Sequence, residues 1–176
     1  MDFICKDYAY ENGKDVDIEK LKADFIEEEE FAKMHKDLPI MCHDVFIKYK
    51  GGIVFVKRNN FPAKDIPWVL GGRLQRGIPL EESIKQKIKQ ECGLDIKNIK
   101  ALGFGRHLFQ TDPFGHGKGT DTPCLIFFAE GEGKLKLDNL HEKPEIITKE
   151  KYTEEFRKEL HPYLRDFMDL VVEKFL

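Results

Sequence analysis

An α+β fold, antiparallel strands with flanking helices, is what this 176-residue sequence predicts. Three observations carry that prediction. Apolar runs of strand length recur at 45–47, 53–56, 68–70, 99–109 and 124–129. One sharply bounded helix, 80–92, interrupts them, and helical patterns lie near each end of the chain, at 17–36 and 153–176. No repeat, low-complexity linker or shift of composition divides the sequence. It therefore reads as one domain, 1–176, with 1–16 as an N-terminal extension and 153–176 as a C-terminal helix.

The elements follow in order. Residues 17–36 predict one amphipathic helix, capped by Asp17, with Ile18, Leu21, Phe25 and Phe31 on its apolar face. The acidic run Glu27 to Glu30 reads as a solvated face of that helix, because adjacent helical side chains do not converge on an ion. Pro39 ends the pattern. Val45-Phe46-Ile47 and Ile53-Val54-Phe55-Val56 flank Lys50-Gly51-Gly52, which predicts a β-hairpin. A loop over 58–65 leads to a short strand at Trp68-Val69-Leu70, with Trp68 expected in the core, and Gly71-Gly72 reads as a turn. Pro79 suits the first turn of the next helix and Gly93 its C-terminal stop, with Leu80, Ile84 and Ile88 as the buried stripe. The stretch 110–121 is polar, rich in glycine and too long for a simple turn, so it is a candidate substrate loop. The last helix is expected to break at Pro162 and to pack through Tyr163, Phe167, Leu170, Val171 and Lys174.

Composition narrows the class. Hydrophobic residues make up 41% and charged residues 35%, as in a soluble globular protein, and fourteen Phe against one Trp supply large apolar anchors. A net charge of −3 and the absence of a basic stripe argue against a nucleic-acid partner. No apolar run is long enough to span a bilayer, and no signal peptide opens the chain, so no membrane partner is expected. Cys5, Cys42, Cys92 and Cys124 are scattered without a C-x-x-C pair, which predicts reduced thiols in a cytoplasmic protein.

Residues 71–94 are the most informative. Gly72, Ile88 and Gly93-Leu94 stand in the frame G-x5-E-x7-R-E-U-x-E-E-x-G-U, where U is a bulky aliphatic residue. That frame resembles the Nudix box. Of its acidic places only the last survives, as Glu91; Ile78, Gln86, Lys87 and Gln90 stand at the others and at the arginine. The resemblance implies the Nudix fold, α+β with a mixed sheet between helices, and in that family the box glutamates hold divalent cations against a diphosphate. Hard cations with oxygen ligands suit that task because the diphosphate concentrates negative charge. Positions 87, 90 and 91 share a helix face, so one carboxylate is left there, with Lys87 four residues away and able to pair with it. One carboxylate cannot hold two or three ions, but it can help to hold one.

The stretch Arg58-Asn59-Asn60-Phe61-Pro62-Ala63-Lys64-Asp65-Ile66-Pro67-Trp68-Val69-Leu70-Gly71-Gly72, followed by Arg73-Leu74-Gln75, resembles the GDP-mannose mannosyl hydrolase branch of that family. The likeness runs over roughly 23–150 and includes Glu28 to Lys33, Leu38-Pro39 and Asp44 to Ile47. That branch also has an altered box that keeps the last glutamate. It implies one Mg²⁺ or Mn²⁺ on Glu91 and the Gly71 carbonyl, and attack by water at the anomeric carbon of a nucleoside diphosphate sugar. It further implies Arg58 and Arg73 on the diphosphate, Asp44 near the sugar, and His141 as general base. Arginine suits phosphate through its planar fork, and histidine through a pKa near neutrality suits the base. His107 and His116 are alternatives for the base. Leu140 stands where the branch has a Gln that helps to ligate the ion. The resemblance also implies a homodimer, which the N-terminal helix would support. A Nudix-fold protein that binds a nucleotide or nucleotide sugar without turnover is the second reading, favoured by the missing carboxylates. An enzyme cleaving the phosphoanhydride is the third.

Overall fold

The N-terminal extension has structure and a task. In the computed structural model, which describes residues 3–176, β1 (Tyr10–Glu11) and β2 (Lys14–Asp15) close a small hairpin around Asn12-Gly13, both at positive φ. The Asp7 carboxylate accepts the backbone N–H of Leu80 at 2.8 Å and so caps the central helix from a distance in sequence. That cap fills a gap, because Pro79 at the N-cap offers no side chain to the helix.

The single helix expected over 17–36 is two pieces. Asp17 does cap, accepting from the Glu19 N–H, but it caps a single 3₁₀ turn at Ile18–Leu21. The α-helix α1 begins only at Glu28 and runs to Asp37. Neither piece buries a residue, and Phe25, assigned to the apolar face, is 85% exposed. Without a buried stripe a helix of that length has little to sustain it. Instead the backbone at Leu21-Lys22 lies against Gly77, where an added Cβ would sit 2.4 Å from the Lys22 nitrogen.

Alternation then builds the core. Strands β3 (Cys42–Tyr49) and β4 (Gly52–Arg58) form the expected hairpin. Next come β5 (Pro67–Trp68) and β6 (Leu70–Arg73), so Gly71-Gly72 lies within a strand and is not a turn. Their register opposite Asp44 and His43 explains the glycines: a Cβ on Gly71 would lie 2.2 Å from the His43 carbonyl oxygen. Helix α2 (Leu80–Cys92) has the predicted bounds and ends at Gly93 with φ of 72°. β7 (Asp95–Phe109) and β8 (Thr120–Glu132) outrun their apolar centres, because their antiparallel pairing continues from Asp95–Glu132 to Phe109–Thr120. β9 (His141–Ile147) was not expected as a strand. Among the described residues it pairs only with β4, and Pro144 among charged residues is tolerated on such a strand.

The sheet runs β5-β4-β3-β8-β7, with β6 on β3 and β9 on β4; β3 and β8 are parallel and the remaining pairs antiparallel. Val45, Ile47, Val54 and Val56 face α2, packing with Ile84 and Ile88. Phe46, Ile53, Phe55 and Phe128 face the other way, onto α4 (Pro162–Phe175), which follows α3 (Glu154–Glu159) after the break at Pro162. The buried stripe of α4 is Tyr163, Leu164, Met168 and Val171, with Phe167 packed beside it. Of the other residues assigned to that stripe, Leu170 is only half-buried and Lys174 is exposed. Among the described residues no helix is long and apolar enough to cross a membrane.

Candidate active site

Two sheet ends and one helix face converge on a single cleft. β3 enters the sheet where β4 leaves it, so Asp44 and Arg58 come to the same end although the chain runs oppositely through them. β6 adds Gly71 to Arg73, α2 adds Lys87 and Glu91 one turn apart, and β9 opens with His141. The resulting cleft has a volume of about 620 Å³. All six residues assigned from sequence, Asp44, Arg58, Gly71, Arg73, Glu91 and His141, line it. The exposed Phe61 and the α1 residues Phe31 and His35 complete its rim.

Asp44 is the floor. Its carboxylate accepts the Tyr163 hydroxyl at 2.9 Å and the Trp68 indole N–H at 3.3 Å. Burial pushes its pKa up, against the Tyr163 hydrogen bond, the Arg58 charge and the Trp68 N–H, to about 6. Trp68 is core, as expected, and is also a wall of the cleft. Arg58 reaches in from the end of β4. Its Nε is buried without a partner, its Nη2 finds only Asn60 at 3.4 Å, and burial lowers its pKa while Asp44 and Glu91 oppose the fall. Arg73 stays exposed at the rim, its guanidinium 3.9 Å from the centre of the Phe31 ring.

Glu91 sits deeper, its side chain 4% exposed. One oxygen meets the Lys87 ammonium at 3.1 Å, and the other accepts the Gly71 N–H at 3.1 Å. Burial raises its pKa, and Lys87, His141 and the Gly71 N–H act against that. Beside Lys87, His43 is fully buried with both ring nitrogens unpartnered; burial first and the Lys87 charge second push it down to about 4, so it is neutral.

His141 is not in a loop but at the first position of β9, buried, opposite Arg58. Its Nδ1 lies 2.8 Å from Asp138 Oδ1, which also accepts the Leu140 N–H at 3.0 Å. A carboxylate only accepts, so in the neutral ring Nδ1 carries the proton and Nε2 is free as a base. Asp138 is the residue sequence reasoning missed. Its spacing of three from His141 was visible, but only the turn before β9 brings the two side chains together. Glu91, Asp138 and His141 each bring a ligand atom within 4.8 Å of the others. That donor set has the size and chemistry for one divalent ion, not for two or three, and Lys87 already stands on its first carboxylate.

The other two histidines fare differently. His107 lines the cleft but is packed against Trp68 and Tyr163, with Nε2 unpartnered, and burial lowers it to about 4. His116 is not among the residues lining the cleft; it meets His35 Nδ1 at 2.8 Å. It belongs to the loop after β7, which is held by Asp112 accepting the N–H groups of Phe114, His116 and Gly117. Through Phe114 and Pro113 that loop roofs the cleft together with α1.

Nudix hydrolases of known structure share this architecture. The chain superposes on a MutT NUDIX hydrolase from Burkholderia pseudomallei with a TM-score of 0.58 at 17% identity, over 80% of this chain and 100% of the other. A bifunctional NMN adenylyltransferase/ADP ribose pyrophosphatase from Francisella tularensis, complexed with AMP and a Mn ion, gives 0.54 at 11% identity, over 78% of this chain and 42% of that one. In sequence, the low-salt glycan biosynthesis protein Agl8 of Haloferax volcanii is 26% identical over 148 residues, 82% of this chain and 89% of that protein. No family model matches the chain. The fold is therefore the Nudix fold, α+β with a mixed sheet between helices.

Proposed function

We propose that this chain is a Nudix-type hydrolase of a nucleoside diphosphate sugar, GDP-mannose-like, acting at the anomeric carbon. The observation that carries the reading is the His141–Asp138 pair at 2.8 Å in the cleft that Arg58 and Glu91 also line. A histidine oriented by a carboxylate, with its second nitrogen free, is what activation of water needs. His141 Nε2 takes the proton of the attacking water, whose oxygen bonds to the anomeric carbon. The bond from that carbon to the diphosphate oxygen breaks, and the nucleoside diphosphate leaves with the electron pair. Arg58, with Nε unsatisfied, and Arg73 at the rim receive the developing charge. Asp44 faces the sugar from the floor.

Glu91 and Asp138, two of the three clustered donors, with the Gly71 carbonyl that the family resemblance adds, would hold one Mg²⁺ or Mn²⁺ where Lys87 moves aside, and the ion would neutralise the departing diphosphate. The Mn ion in the Francisella tularensis structure supports a divalent cation, and its AMP supports a nucleotide. The glycan-biosynthesis name of the Haloferax volcanii relative supports sugar chemistry. Free thiols suit a cytoplasmic setting. Binding without turnover is a second reading, favoured by Lys87 on Glu91.

Incubation with GDP-mannose, GDP-glucose, UDP-glucose and ADP-ribose, with Mg²⁺ or Mn²⁺ and chromatography of products, tests the proposal. Free sugar and nucleoside diphosphate, abolished in His141→Ala, are expected. Nucleoside monophosphate with sugar phosphate would mean attack at phosphorus and would overturn the mechanism. Thermal stabilisation by one nucleotide sugar without turnover would establish the binding reading.

A further inference from the structure

We propose that Lys87 is a resident cation of the cleft: it holds the place on Glu91 that a divalent ion needs, and it supplies positive charge to a bound diphosphate without one. The ion pair is built, not incidental. Glu91 is nearly sealed, with its side chain 4% exposed, and both oxygens are engaged, one by Lys87 Nζ at 3.1 Å and one by the Gly71 N–H at 3.1 Å. The glycine at 72 makes room for the lysine stem, since a Cβ there would lie 2.4 Å from Lys87 Cε. The ammonium therefore sits inside the cleft, between the strand that carries Gly71 and the helix that carries Glu91, with Arg58 and Arg73 lining the same space.

An ion that approaches Glu91 meets a cation already bound there. Two positive charges on one buried carboxylate repel strongly at such separation. Lys87 must swing away first, which its four-carbon stem and 23% exposure permit. Ion and lysine thus compete for one seat, and either leaves a positive charge facing the diphosphate. The diphosphate half of this inference rests on the reading of the cleft given above; the competition for Glu91 does not.

Two titrations separate these halves. Mn²⁺ alone, followed by electron paramagnetic resonance, reads the seat. Lys87→Met is expected to bind Mn²⁺ at least about tenfold more tightly than the wild type, and Glu91→Gln to lose it. GDP in EDTA, followed by calorimetry, reads the charge. Wild type, Lys87→Arg and Glu91→Gln are expected to bind, and Lys87→Met to bind about tenfold more weakly, with recovery on adding Mn²⁺. Lys87→Arg keeps the charge should removal of it disturb folding. Equal Mn²⁺ affinity in wild type and Lys87→Met overturns the competition. GDP binding by the wild type only with Mn²⁺, or equally by Lys87→Met in EDTA, overturns the resident charge. Failure of every variant to bind GDP in either condition would sink the nucleotide reading and with it the diphosphate role, while the Mn²⁺ titration still decides the seat.

Discussion

Replacing Asp44 by Asn should stabilise this protein at neutral pH while disarming its cleft. Asp44 is 7% exposed, and its pKa rises from 3.8 to about 6, burial outweighing Tyr163, Arg58 and Trp68. A raised carboxylate pKa means that the native state holds its proton longer than the unfolded chain. Well below pH 3.8 both states are protonated and Asp44 carries no penalty. As pH rises from 3.8 toward 6 the unfolded chain releases its proton first, and native stability falls. Above that window the penalty is complete. A rise of about two units, at about 1.4 kcal/mol each, makes it about 3 kcal/mol. Asn is nearly the shape of a protonated Asp, and its oxygen still accepts from Tyr163 and Trp68. Urea unfolding at pH 7.5 should therefore find Asp44→Asn more stable by up to about 3 kcal/mol, with the difference closing toward pH 4. A difference that does not change with pH, or one of the opposite sign at pH 7.5, would refute the argument. Such a stability penalty at a cleft carboxylate is what a functional residue is expected to carry.

Gly71→Ala places a Cβ against the His43 carbonyl and should lower the melting temperature by about 5 °C or more, whereas Gly72→Ala meets only the flexible end of Lys87 and should cost far less. Asp138→Asn removes a charge-assisted hydrogen bond to His141 and should slow turnover of a nucleotide sugar about ten- to hundredfold, with GDP affinity in EDTA, where no ion contributes, little changed by calorimetry. Met168→Ala empties a fully buried place between α4 and the sheet and should cost about 2–5 kcal/mol in urea unfolding.

The sequence was legible where a periodic pattern and a local stop coincide. Helix α2 shows both, with Ile84 and Ile88 buried and Gly93 ending it at positive φ. The hairpin around Lys50-Gly51 is equally local. Patterns without a continuous packing face misled: Ile18, Leu21 and Phe25 have helical spacing, but Ile18 is only half-buried, Leu21 and Phe25 stay exposed, and no helix forms between 22 and 27. β9 was hidden for the converse reason. Its charged residues and Pro144 deny strand character locally, and only the free edge of β4 makes it a strand. Gly71-Gly72 looked like a turn because glycine permits turns; here it permits the close approach of β3. In the cleft, the six assigned residues converge because the family resemblance over roughly 23–150 places them. Of their elements only α2, with Glu91, has its predicted bounds, while Arg58 falls in a predicted loop, Gly71 in a predicted turn and His141 on the hidden strand β9. Asp138 and the seat of Lys87 on Glu91 depend on contacts between β6, α2 and the turn before β9, which no local pattern encodes.

Attack at the anomeric carbon and attack at phosphorus break different bonds, and the oxygen of the attacking water distinguishes them. Hydrolysis of GDP-mannose in H₂¹⁸O, with mass spectrometry of both products, shows which atom the water attacks. Label is expected in the released sugar, with GDP unlabelled. Label in a phosphate group, with the sugar leaving as sugar phosphate, would contradict it.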